Sequence, residues 1–200
     1  METFIQHARG LNDRIARHRE ERETFGRLAA GQAPLALFIT CSDSRVIPSL
    51  ITGARPGELF ELRTAGNAVP TYVPDEPASA EAATIEYATR VLGVADIVVC
   101  GHSHCGAVGA KARGDDLTGV PSVQDWLARQ LSDELPRDEA PTVATAVQRH
   151  VREQLDRLRD YPCVRERLDA GEVNLHGWFY EVHTAQVSAY EAATDSFLPL

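Results

Sequence analysis

Two rhythms of apolar and polar residues run along this chain. Short apolar runs of strand length lie at residues 35–39, 94–101 and 173–182, and longer stretches carry apolar residues every third or fourth position. The opening stretch, from Thr3 to about Arg27, is of the second kind. Phe4, Ile5, Leu11, Ile15 and Phe25 make a narrow stripe in a heavily charged segment. It predicts one or two helices, either a solvated face packed on its own domain or an arm that covers a second subunit. Gly31-Gln32-Ala33-Pro34 closes the segment. Residues 1–30 therefore read as an N-terminal helical arm and residues 31–200 as the main domain.

Within that domain the pattern predicts a buried strand at 35–39, a short helix at 46–51 ended by Thr52-Gly53, and a partly exposed strand at 58–63. The small residues Thr64-Ala65-Gly66-Asn67 follow, a loop whose backbone amides can approach a ligand closely. Residues 69–77, with three prolines, read as a surface loop. A helix over 79–92 ends at Gly93, and a buried strand over 94–101 follows. Further helices are expected at 107–112, 121–131, 142–158 and 163–168, with a linker at 135–141. The tail reads as a strand over 173–182 with 186–190 as its hairpin edge. Strand, helix and strand in this order make a right-handed crossover, so the expected fold is α/β, a mostly parallel central sheet flanked by helices.

Length and composition narrow the function. A hydrophobic fraction of 44% is that of an ordinary globular chain, and the net charge of -9 argues against nucleic acid as a partner. The first residues lack the basic start and apolar run of a secretory signal, and no segment approaches the ~20 apolar residues of a membrane span. A cytoplasmic protein is expected. In a reducing compartment the four cysteines read as metal ligands or buried thiols rather than disulfides.

The chemistry gathers at two strand ends. Cys41-Ser42-Asp43-Ser44-Arg45 follows the first buried strand, and His102-Ser103-His104-Cys105 follows the second. Open α/β sheets place ligands at this edge. Cys41 alone would be a small buried hydrophobe and His102 alone a loop histidine. With Cys105, three residues on and so on one face of a helical turn, they make a donor set of two thiolates and one imidazole. That set suits Zn²⁺ and leaves one tetrahedral position open. His104, one residue from Cys105, is awkwardly spaced to chelate beside it on a helical turn and reads instead as a rim residue that could relay protons. Cys100 and Cys163 read as buried structural thiols.

Asp43 and Arg45 could form an ordinary ion pair, but beside an open metal site they have another use. Asp43 can accept a hydrogen bond from the water there, while Arg45 keeps the carboxylate ionised and away from the metal. Two thiolates and a neutral imidazole leave zinc with no net charge. The pKa of its water then falls less far from ~9 toward ~7, and a rate rising through mildly alkaline pH is expected.

Taken together, Cys41-Ser42-Asp43-Ser44-Arg45, Arg63-Thr64-Ala65-Gly66-Asn67, Glu81-Ala82-Ala83-Thr84-Ile85-Glu86-Tyr87 and Cys100-Gly101-His102-Ser103-His104-Cys105-Gly106-Ala107 resemble the β-class carbonic anhydrases. The match is strong over roughly residues 34–111 and holds in outline elsewhere. The resemblance implies reversible hydration of CO₂ to bicarbonate and a proton by hydroxide generated at one Zn²⁺ per chain. By it, Cys41, His102 and Cys105 hold the zinc and Asp43 and Arg45 form the catalytic dyad. It further implies four parallel strands plus an antiparallel edge strand, and a homodimer or dimer of dimers with exchanged N-terminal helices. A hydrolase of COS or CS₂ on the same fold, or a non-catalytic zinc- or bicarbonate-binding regulator, are the alternatives. Retention of both Asp43 and Arg45 speaks against the regulator. One departure stands out: Phe38 occupies the place where some bacterial members carry a tryptophan of a regulatory bicarbonate site, so a donor for that site is missing although Arg63 fits its arginine.

Overall fold

In the computed structural model, which describes every residue except Asp75, Glu139 and Pro141, the first apolar run becomes strand β1 (Ala36–Cys41), buried along its whole length. The parts of the 69–77 loop and the 135–141 linker that fall on those three residues lie outside the described residues. Leu37, Phe38 and Ile39 are fully buried, and each such side chain contributes roughly 1.5–3 kcal/mol. The strand that ends in Cys41 is therefore anchored by its own burial.

The chain divides into two compact units, Met1–Ala33 and Pro34–Leu200. The first consists of helix α1 (Glu2–Arg17) and helix α2 (Arg19–Leu28), separated at His18 by one extended residue. No residue of either helix is buried, and Phe4 is the most exposed of the stripe.

The second unit is built on one six-stranded sheet. Its order is β2 (Leu59–Thr64), β1, β3 (Asp96–His102), β4 (Asn174–Tyr180), β5 (Val187–Glu191) and β6 (Ser196–Pro199). The first four strands run parallel, and β5 and β6 pair antiparallel. The fold is thus α/β with a mostly parallel sheet and an antiparallel edge, as expected. The edge is two strands rather than one, because Phe197 reaches back to pack against Tyr190 and Phe179.

Helix α3 (Pro48–Thr52) ends at Gly53, whose φ of 71° stops it. A single 3-10 turn over Ala65–Asn67 follows β2. Helix α4 (Ala80–Glu86) is capped by Ser79 Oγ, which accepts from the Ala82 N–H at 3.1 Å. The helix expected to reach residue 92 loosens instead into a π turn over Tyr87–Val91 before Gly93. Helices α5 (Gly106–Arg113), α6 (Pro121–Gln130), α7 (Ala144–Asp160) and α8 (Pro162–Asp169) follow within two or three residues of their expected places. Helix α7 lies hard against the sheet at Gly101. A Cβ there would stand 2.5 Å from Val147 Cγ1 and 2.7 Å from Val151 Cγ2. Among the described residues no helix is long and apolar enough to cross a membrane.

Candidate metal centre

Register brings the two motifs together. Thr40 pairs with Cys100, and β3 continues for two residues past that point to His102. Cys41 and His102 therefore close the carboxyl ends of adjacent central strands. Cys105 does not share a helical turn with His102, as its spacing suggested. The chain turns sharply at Ser103-His104, where His104 adopts φ 59°, and Cys105 is the N-cap residue of α5. The turn achieves what the helix was expected to do. The ligand atoms of Cys41, His102 and Cys105 all lie within 4.8 Å of one another, and all three residues are buried.

The imidazole is oriented for a cation. His102 Nδ1 lies 2.9 Å from the Ser103 carbonyl oxygen, a partner that only an N–H can satisfy, so the proton is assigned there. That leaves Nε2 as a lone pair with no hydrogen-bond partner among the described residues, on a ring that is fully buried. A buried unsatisfied nitrogen is costly unless something absent from the protein binds it.

The two sulfurs supply the rest of the fit. The neighbouring Cys105 thiol holds the Cys41 thiol well below its ordinary range, helped by His102 and by the Gly66 and Asp43 backbone and opposed by burial. The nearby Cys41, with burial, pushes Cys105 up, against the N–H groups of Val108 and Ala107 at the start of α5. Two buried thiols this close do not both ionise without a cation beside them. Two sulfurs and one imidazole nitrogen, converging on one buried point, fit zinc.

Asp43 lies at the mouth of this cluster. Its Oδ2 is 3.9 Å from His102 Nε2. Arg45 holds both carboxylate oxygens, Nε to Oδ1 at 2.9 Å and Nη2 to Oδ2 at 2.7 Å, and the Arg45 backbone N–H donates to Oδ1 at 2.9 Å. The guanidinium keeps the Asp43 carboxyl well below the usual carboxylate range, and the pairing raises Arg45 in turn. Arg45 Nη2 also donates to the His104 carbonyl at 3.0 Å, which ties the two motifs together.

Arg63, on β2, uses its guanidinium as a brace. It donates to the carbonyls of Cys41, Asp43 and Val46, all between 2.8 and 3.1 Å, and so fixes the loop that carries Asp43. Phe38 packs edge-on against Trp178. The Thr64–Asn67 loop does approach the site, since the Gly66 N–H points at Cys41 Sγ from 3.4 Å. His104 stays at the rim, its ring 6.4 Å from that of His183. Cys100 and Cys163 are buried away from the cluster, and burial pushes the Cys100 thiol up to about 12.

Sequence reasoning missed the helices' contribution. Trp126, His150, Gln154, Arg157 and Tyr161 all reach into the segment from Ala65 to Pro70. His150, Gln154 and Arg157 recur along α7 at helical spacing inside a face otherwise apolar, with Tyr161 at its C-cap, and that interruption was the available signal.

Comparison with known proteins agrees with this geometry. The family profile described as "Carbonic anhydrase" matches residues 36–187. A carbonic anhydrase of Pseudomonas aeruginosa is 46% identical over 184 residues, spanning 89% of this chain and 83% of its own length. Carbonic anhydrase 1 of Escherichia coli O157:H7 is 43% identical over 182 residues, spanning 88% and 82%. Among solved structures, the β-carbonic anhydrase CcaA superposes with a TM-score of 0.89 at 36% identity, covering 100% of this chain and 99% of that one. One of two tetrameric β-carbonic anhydrases from the ascomycete Sordaria macrospora superposes with a TM-score of 0.76 at 30% identity, covering 94% and 97%.

Proposed function

We propose, from the premise that this chain belongs to the β-carbonic anhydrase family, that it hydrates CO₂ reversibly to bicarbonate and a proton at a zinc held by Cys41, His102 and Cys105. The observation that carries the reading is the buried His102 ring, which lies with the sulfurs of Cys41 and Cys105 in a cluster of ligand atoms within 4.8 Å of one another and whose Nε2 has no hydrogen-bond partner among the described residues. Zinc at these residues would supply a Lewis acid that acidifies a water in the remaining position and makes it a nucleophile toward CO₂.

The protein's own groups do the rest. Asp43 stays ionised and, with zinc bound, would accept a hydrogen bond from that water and help to orient it toward CO₂. Arg45 occupies both carboxylate oxygens and so keeps Asp43 from becoming a metal ligand itself. Arg63 fixes the loop so that this geometry exists before substrate arrives. The four free cysteines fit a reducing, cytoplasmic setting. The amphipathic helices α1 and α2 suit a homodimer or dimer of dimers.

Stopped-flow CO₂ hydration tests the reading. Wild type should be faster than Asp43→Ala by about a hundredfold or more. Equal rates would overturn it.

A further inference from the structure

Both peptides of Gly66 are held by side chains from the helices. The peptide joining Ala65 to Gly66 gives its N–H to Cys41 Sγ at 3.4 Å, and its carbonyl accepts the Trp126 indole N–H at 2.9 Å. The peptide joining Gly66 to Asn67 presents its carbonyl to His150 Nε2 at 2.8 Å. Burial depresses His150 to about 4, so the ring is neutral at working pH. Its Nδ1 lies 3.3 Å from Gln154 Nε2, which assigns the proton to Nε2 and makes the ring a donor to Gly66. Gln154 in turn accepts from the Val69 N–H at 2.8 Å, Arg157 donates to the Val69 carbonyl at 2.9 Å and Tyr161 to the Pro70 carbonyl at 2.8 Å.

We propose that Trp126 and His150 are positioning residues that hold the Gly66 amide against the Cys41 sulfur and thereby set how strongly that sulfur donates to the metal. The inference rests on the reading that Cys41 is a metal ligand. An N–H aimed at a thiolate withdraws charge from it, and outer partners of this kind tune the metal they never touch. Trp126 acts on the same peptide from the other end. By donating to the Ala65 carbonyl it polarises that amide and makes its N–H the stronger donor. Gly66 itself has φ 77°, and a Cβ there would stand 3.2 Å from Ala107 Cβ, so no other residue places the amide here without strain.

A purely structural role for these side chains would lower stability without changing the electronic surroundings of the metal. The test therefore reads cobalt(II)-substituted protein, whose thiolate-to-metal charge-transfer band reports charge donation by sulfur. In Trp126→Phe, which keeps the ring and loses the N–H, the band should move to longer wavelength. The pH midpoint of hydration should move upward and KM for CO₂ should stay unchanged. His150→Leu should act in the same direction, and His150→Gln, which keeps an N–H donor, should restore wild-type values. A band unmoved in both folded Trp126→Phe and folded His150→Leu overturns the inference and leaves the zinc reading standing. Wild type that takes up cobalt without any thiolate charge-transfer band overturns the zinc reading and this inference with it.

Discussion

Arg45 grips Asp43 through both oxygens of one carboxylate, at 2.9 and 2.7 Å, only two residues along the chain. That fork geometry is specific to a guanidinium; an ammonium would meet the carboxylate at a single point. Arg45→Lys should keep the charge and lose the alignment. Because Arg45 is half exposed, stability should hardly change, whereas kcat for CO₂ hydration should fall about a hundredfold. Stopped-flow rates beside thermal melts check this. An unchanged kcat would mean that charge alone suffices.

The pH dependence of hydration follows from the same pair. The Asp43 carboxyl is held well below the usual range by the Arg45 hydrogen bonds, so it stays ionised throughout the neutral region and contributes no limb there. On the proposed zinc reading, two thiolates and a neutral imidazole would cancel the charge of the metal and place the ionisation of its water at or above neutrality. The rate should therefore rise between neutral and mildly alkaline pH. A profile that is flat or falling over this span contradicts the expectation.

Acid stability should carry the signature of His150. Burial drops it from the ordinary 6.5 to about 4, with Arg157 lowering it further and the Gly66 carbonyl and Cys41 raising it. Below about pH 6.5 the unfolded chain binds a proton at this position that the folded chain refuses until about pH 4. Unfolding is thus favoured as pH falls through that window, and roughly 3 kcal/mol is lost across it. Urea unfolding at several pH values should show a flatter dependence for His150→Gln than for wild type. Parallel curves would remove His150 as the cause.

Gly101 shows how closely α7 and β3 approach. A methyl group there meets Val147 and Val151 at 2.5 and 2.7 Å, so Gly101→Ala must push the helix outward. The expected cost is about 1–3 kcal/mol in chemical denaturation, with some loss of activity because His150 and Gln154 ride on the same helix. A variant as stable as wild type would show that α7 gives way freely.

Much of this was legible in the residues. The unbroken apolar runs marked β1 and β3 because both faces of a parallel sheet are covered by helices, and the motifs at their ends marked the candidate ligands. The turn that carries Cys105 was not legible, since three-residue spacing fits a helix as well as a strand-to-helix turn. Strand β6 escaped because Ser196–Pro199 is short and half exposed. The polar stripe on α7 escaped for a different reason. Its partners are backbone groups of residues 66–70, distant in sequence, and nothing in a helix's own pattern names them.

The most direct test of the metal site is zinc content, measured on purified wild type and on Cys105→Ser. The expected result is one zinc per chain in wild type and most of it lost in the variant. Far less than one zinc in wild type, or no loss when Cys105 is replaced, would contradict it.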